Sequence, residues 1–222
     1  MDQPAAQRYW VDWHRQYDVA GSSLGRRLAI VQRRVRQALD AQPPGEIRVL
    51  SMCAGQGRDI LGVLADHARR EDVVARLVEL DPVLAADAER AARSAGLDGV
   101  QVRVGDAADT GMYEGVAPVN LALVCGVFGN LRDADVRHTV EQLPRLCRPG
   151  ATVIWTRHRG TPDLTSTVRS WFADAGFEEL GFDVADGFLI GVGTHRLVGP
   201  ALPYEPGLRL FDFIGNGQDA HL

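Results

Sequence analysis

No apolar run in this chain approaches the roughly 18 residues that a membrane-crossing helix needs, so no membrane partner is expected. The opening residues, M-D-Q-P-A-A-Q, lack a cationic stretch followed by an apolar core. No secretory leader is therefore expected, and the cytoplasm is the expected compartment. Cysteine is scarce. Cys53, Cys125 and Cys147 are odd in number with no close pair, which argues against a disulfide framework and for reduced, buried thiols. No Cys and His positions show metal-ligand spacing, so no metal is expected. Positive charge is also short, with 24 basic residues against 29 acidic ones and a net charge of -5. That balance leaves no basic face large enough for general nucleic-acid binding, and DNA is not an expected partner. The one cationic cluster, Arg26, Arg27, Arg33, Arg34 and Arg36, falls on a helical pattern and reads as a solvated face.

What is present is an ordinary globular composition, 45% hydrophobic over 222 residues, enough for one domain with its own core. Near the start, Trp10, Trp13 and Tyr17 share one helical face, with His14 among them. Gly21-Ser22-Ser23 breaks that pattern, with Ser23 as the expected cap of a helix over residues 24–41. Leu24, Leu28, Val31, Val35 and Leu39 give that helix its apolar stripe, and Pro43-Pro44-Gly45 ends it. Strands are expected over 47–52, 74–80, 100–104, 119–125 and 151–156. Helices are expected over 58–69, 82–95, 132–147 (stopped by Pro149-Gly150) and 162–175, with a short one near 109–115. Two further strands, 177–184 and 190–198, are five residues apart and must pair antiparallel, since parallel neighbours need a longer crossover. Strand–helix alternation implies a mostly parallel sheet covered on both faces. The expected fold is therefore α/β. It is a Rossmann-like, doubly wound, seven-stranded sheet closed by a C-terminal antiparallel hairpin. Residues 1–44 form a helical lid and 45–222 the compact domain. The apolar tail 208–214, L-R-L-F-D-F-I, should pack on the body or on a second subunit, so a homodimer stays open.

The most specific feature is R-V-L-S-M-C-A-G-Q-G-R-D over 48–59, an apolar strand that breaks into a glycine turn. Glu79 follows Gly55 by 24 residues, at the end of a second apolar run. A tight Gly turn after a strand, with an acid on the next strand, is the layout of a nucleotide-type site. Gly55 and Gly57 let the backbone approach a ligand without a clashing side chain. Glu79 can accept from two ribose hydroxyls. Asp81, two residues on, is the weaker ribose candidate, because it also reads as a helix cap before Pro82.

Over residues 46–198 these motifs resemble the class I S-adenosylmethionine-dependent methyltransferases. Cys53-Ala54-Gly55-Gln56-Gly57-Arg58-Asp59 stands where that family has acid-x-Gly-x-Gly-x-Gly, with Cys53 in place of the acid and Asp59 in place of the last glycine. V-E-L-D-P around Glu79 matches the second motif and Gly105-Asp106-Ala107 the third. L-A-L-V-C-G-V-F-G-N-L matches the fourth strand and its loop, and R-P-G-A-T precedes the fifth. The resemblance implies S-adenosylmethionine as cofactor, with Asp106 accepting from the adenine amino group beside the Ala107 backbone. Ala54, Leu80 and Cys125 complete the expected cofactor contacts. The family's leading acid meets the amino end of the methionine moiety, which Cys53 cannot do with charge. Asp59 is one substitute, and Tyr17, Asp18 or Ser22 are others. For the cofactor carboxylate, Arg26 or Ser23 are candidates.

Ligands of such sheets bind beyond the carboxyl ends of the strands. His158, after the fifth strand, is therefore the candidate general base, with His14 on the lid as runner-up. His195 lies well into the last strand and is expected to be structural. The fourth strand ends neither in Asp/Asn-Pro-Pro-aromatic nor in an acid, and no Pro-Cys or Thr-Cys precedes Gly126. Base amino-methylation, magnesium-dependent catechol-type chemistry and cytosine methylation through Cys125 all lose support. The expected activity is metal-independent methyl transfer to a small molecule, a specialised metabolite. The alternatives are a protein or RNA substrate, with the Arg26–Arg36 cluster as docking face, or a cofactor-binding module that does not methylate.

Overall fold

The computed structural model describes residues 17, 19, 21–184 and 189–214. Trp10, Trp13, His14 and Asp18 lie outside them, so the expected lid is described only from Tyr17 onward. Helix α1, Ser23–Asp40, is capped by Ser22 rather than by Ser23. Ser22 keeps an extended backbone, and its Oγ accepts from Gly25 N at 3.0 Å, three residues on. The stripe Leu24, Val31, Val35 and Leu39 is buried as the spacing requires.

The alternating segments follow as β1 (Ile47–Met52), α2 (Arg58–Leu64), β2 (Val73–Glu79), α3 (Pro82–Ser94), β3 (Val100–Val104), β4 (Val119–Val124), α4 (Asp133–Leu146), β5 (Cys147–His158) and α5 (Thr165–Asp174). The last two strands are β6 (Phe177–Val184) and β7 (Ile190–Leu197). Two boundaries differ from the sequence expectation. Helix α2 ends five residues early, where Arg70 Nη1 caps the Ala65 carbonyl at 2.8 Å and His67 Nδ1 accepts from Arg69 N. Helix α4 ends at Leu146, close to expectation, but β5 begins at Cys147 rather than at 151, so Pro149-Gly150 sits inside the strand, where the pairing with β4 shifts register between Val119 and Leu121.

The seven strands order as β3-β2-β1-β4-β5-β7-β6. β1 to β5 pair parallel, and β7 pairs antiparallel with both β5 and β6. Side-chain alternation divides the core between the two faces. Val49, Leu121 and Leu123 pack under α1 and α2, whereas Leu50, Ala122 and Val124 pack under α4 and α5. The tail lies on the body: Leu210 and Phe211 are buried, and Leu210 N donates to Ala108 O at 2.8 Å. Among the described residues no helix is long and apolar enough to cross a membrane.

His195, on β7, is 1% exposed. Its ring stacks on Phe172 at 4.3 Å between centroids, and its Nδ1 accepts from Trp155 Nε1 at 3.1 Å. Burial pushes its pKa down to about 4, only partly offset by Glu179. Below the ordinary value of 6.5 the unfolded chain takes up a proton that folded His195 refuses until about pH 4. Stability should therefore fall as pH drops through that window, by as much as about 3 kcal/mol. In calorimetric melts between those pH values, a His195→Gln variant is expected to lose stability less steeply than the wild type. Equal slopes would show that His195 does not carry the acid sensitivity.

Candidate functional site

Strand order reverses between β1 and β4, and the segments leaving these two strands flank the crevice where doubly wound sheets bind ligands. From β1 the chain enters the turn Cys53–Gly57. Cys53 has φ +50, a left-handed conformation rare for a residue with a side chain. Gly57 has φ +67, and a Cβ there would come within 2.8 Å of Leu77 Cδ2 and 2.9 Å of Leu61 Cδ1. Glycine is thus required at 57 for the close packing of α2 on β2.

Two groups of side chains border this turn. The first centres on Glu79, which is 9% exposed. Its Oε2 accepts from Gly55 N at 2.6 Å and its Oε1 from Asp81 N at 2.9 Å. Burial pushes its pKa up, and these backbone donors pull it down. Each oxygen keeps a further lone pair as acceptor. Asp81 caps α3, its Oδ1 accepting from Val83 N at 2.7 Å. Asp106 follows β3; its Oδ1 accepts from Ala108 N at 2.9 Å and its Oδ2 from Arg209 at 3.0 Å. The Cys53 thiol is pushed well up by burial, and then by the charges of Glu79 and Asp106, which places all three in one electrostatic neighbourhood. Leu80 is largely exposed beside them, and Ala107 is buried.

The second group is Tyr17, Arg27, Asp59 and Cys125. Arg27 donates to the Tyr17 hydroxyl, and its guanidinium lies 5.7 Å from the Tyr17 ring centre. Burial pushes Asp59 up to about 6, against a hydrogen bond from Ile60 N (2.9 Å) and the Arg27 charge. The Cys125 thiol is raised by burial and then by Asp59, with Arg27 opposing. Beyond it, Gly126 N donates to Thr156 Oγ1 at 2.8 Å, joining the ends of β4 and β5.

Arg26, named from sequence with Ser23 as a candidate for the cofactor carboxylate, is exposed, whereas Arg27 faces this group. Helical spacing held the signal: Arg27 is three residues after Leu24 and four before Val31, both buried, whereas Arg26 is turned away from that stripe. Ser22 spends its hydroxyl on the helix cap. His158 ends β5 exposed, and its Nδ1 accepts from Gly160 N at 2.9 Å. In that neutral tautomer Nδ1 is the basic nitrogen, so the lone pair a general base uses is already engaged. His14 lies outside the described residues. Thr156 and Arg209 are contacts that strand-end reasoning missed; a threonine inside a strand and an arginine in an apolar tail gave no motif signal. Among the described residues no three His, Cys, Asp or Glu side chains gather as a metal site.

The fold has counterparts among solved structures. The magnesium protoporphyrin IX methyltransferase of Synechocystis PCC 6803, with S-adenosylhomocysteine bound, superposes with a TM-score of 0.65 at 12% identity, over 88% of this chain and 99% of that one. A TehB-like S-adenosylmethionine-dependent methyltransferase from Corynebacterium glutamicum gives 0.59 at 18% identity, over 87% and 98%. The CurJ carbon methyltransferase gives 0.62 at 13% identity over 78% of this chain, which spans about half of that protein's length (54%). No curated protein matches the sequence. A family model described as "Putative methyltransferase" matches residues 18–174, well over half of the chain. The chain belongs to that methyltransferase family and shares its fold with these S-adenosylmethionine-dependent enzymes.

Proposed function

We propose that this protein transfers a methyl group from S-adenosylmethionine to a small-molecule acceptor, without a metal. The observation that carries the proposal is the meeting of two side-chain groups at the turn Gly55–Gly57, one acidic and one of mixed charge. Their chemistry fits an adenosyl group with a zwitterionic tail. Glu79 keeps acceptor capacity for ribose hydroxyls, and Asp106 for an adenine amino group. Leu80, Ala54 and Ala107 supply apolar and backbone contacts around them. Arg27 answers a carboxylate and Asp59 an ammonium, the charge that Cys53 cannot offer. Bound there, the cofactor supplies an electrophilic methyl group on a sulfonium.

The protein's contribution is alignment and dryness. Cys125 and Tyr17, both burdened by burial, keep the wall beside Asp59 neutral. His158 acts as a base only when Gly160 N–H releases its Nδ1. A small acceptor is supported by the net charge of -5 and by the state of the α1 arginines. Arg33 and Arg34 pair with Asp183, and Arg36 pairs with Asp66, so much of the cationic face is already answered. The names of the magnesium protoporphyrin IX and CurJ enzymes point the same way. Cofactor binding without methyl transfer is the second reading, favoured by the neutral thiol at Cys53.

Incubation with methyl-tritiated cofactor and a panel of phenols, carboxylic acids, amines and thiols is expected to give labelled product and S-adenosylhomocysteine only when an acceptor is present. Binding without transfer across the panel selects the second reading, and no binding by the folded protein removes both. The Asp59 role has its own signature. An ammonium beside Asp59 lowers its pKa from about 6, so calorimetric binding of S-adenosylhomocysteine near that pH should release about half a proton. Affinity should rise roughly tenfold between one pH unit below and one above, and Asp59→Asn should flatten the rise. A pH-independent affinity in the wild type would take Asp59 out of the ammonium site.

A further inference from the structure

The segment 204–214 adds no strand to the sheet, yet it is fastened at many points. Thr110, 1% exposed, is the hub of its first half. Thr110 Oγ1 donates to Glu205 O at 2.6 Å and accepts from Leu208 N at 2.8 Å. Thr110 N donates to Leu208 O at 3.0 Å, and the Tyr204 hydroxyl donates to Thr110 O at 2.7 Å. Leu210 N then bonds to Ala108 O, and Thr139 Oγ1, on α4, donates to Leu210 O at 3.0 Å. At the far end Ile214 N donates to Asn130 O at 3.0 Å, and Asn130 Nδ2 donates to Gly126 O at 2.8 Å. One continuous piece of chain thus ties the loop after β3 to the loop after β4, the two loops that border the crevice on its Asp106 and Cys125 sides.

In the middle of this piece stands Arg209. Its Nη1 donates to Asp106 Oδ2 at 3.0 Å, and its Nε to Asp212 Oδ1 at 2.6 Å. Asp106 Oδ1 is held by Ala108 N, so both oxygens of Asp106 are fixed in direction while each keeps an acceptor position. The Arg209 and Asp106 side chains are 55% and 45% exposed, too open for their pairing to carry much of the fold's stability. Its consequence is geometric.

We infer that residues 204–214 form a strap across the adenine end of the cofactor site, and that Arg209 is a positioning residue that orients Asp106 toward the adenine amino group. This rests on the reading of Asp106 as the adenine partner. The strap fixes the backbone on which Arg209 stands, Arg209 fixes the carboxylate, and the carboxylate selects a base with an exocyclic amino group over one with a carbonyl oxygen in its place. The guanidinium is suited to this because its planar fork grips Asp106 and Asp212 at once.

Calorimetric titration of the full chain with S-adenosylhomocysteine and with its deaminated analogue, S-inosylhomocysteine, tests the inference. The wild type is expected to prefer the adenosyl form, whose amino group the analogue lacks. Arg209→Gln should weaken adenosyl binding about threefold to fivefold and leave inosyl binding unchanged, while Arg209→Lys retains most of the preference. An unchanged melting temperature of unliganded Arg209→Gln confirms that the fold is intact. Equal weakening of both ligands, or of neither, overturns the role of Arg209. A wild type that binds both ligands equally well overturns the Asp106 reading itself, and one that binds neither overturns the cofactor site.

Discussion

A carboxylate buried at the end of β2 must be answered by donors, and the turn after β1 supplies one of them. Glu79 Oε2 and Gly55 N, 2.6 Å apart and 24 residues apart in sequence, lock the two strand ends together. An ionised group left unanswered in such a place is costly, so the turn cannot adopt another shape without exposing or protonating Glu79. Gly57 reinforces the constraint from the other side, since no Cβ fits between Leu77 and Leu61. The position of α2, the exposure of Asp59 to Arg27 and the accessibility of the crevice all follow from this junction.

The two ends of the crevice are built on different principles. At the Glu79 end, backbone N–H groups of Gly55, Asp81 and Ala108 hold two carboxylates in place, and the Arg209 guanidinium adds a charge on Asp106 alone. At the Asp59 end the balance comes from side chains, with Arg27 reaching over from α1. Backbone-held groups move little. The side-chain-held end depends on α1. A pKa near 6 for Asp59 is the mark of that arrangement: burial wins over two backbone amides and one guanidinium. The proposed binding of an ammonium beside Asp59 would complete the balance.

The fold was legible because its signals are local and repeated. Strand–helix alternation, the Gly turn, and five residues between β6 and β7 were enough to specify the parallel sheet and its antiparallel closure. The boundaries that slipped did so for tertiary reasons. Helix α2 stops where Arg70 takes over the Ala65 carbonyl, and Pro149-Gly150 is absorbed as an irregularity in β5. In the candidate site, Gly55, Glu79 and Asp106 stand at the strand ends where the motif spacing puts them, and their ligand roles remain proposals. The spacing of Leu24 and Val31 marks Arg27, not Arg26, as the arginine on the buried side of α1. Arg209 was out of reach: its partner Asp106 is 103 residues away, and no periodicity links an arginine in an apolar tail to a loop after β3. His158 was found by position, but the hydrogen bond that occupies its basic nitrogen exists only in three dimensions.

The junction of Gly55 and Glu79 is proposed as the floor of an S-adenosylmethionine site. A crystal structure with S-adenosylhomocysteine bound tests it most directly. The ribose hydroxyls are expected on Glu79 and the amino-acid end of the ligand between Arg27 and Asp59. A ligand seated away from the turn, or one whose ribose does not reach Glu79, would contradict it.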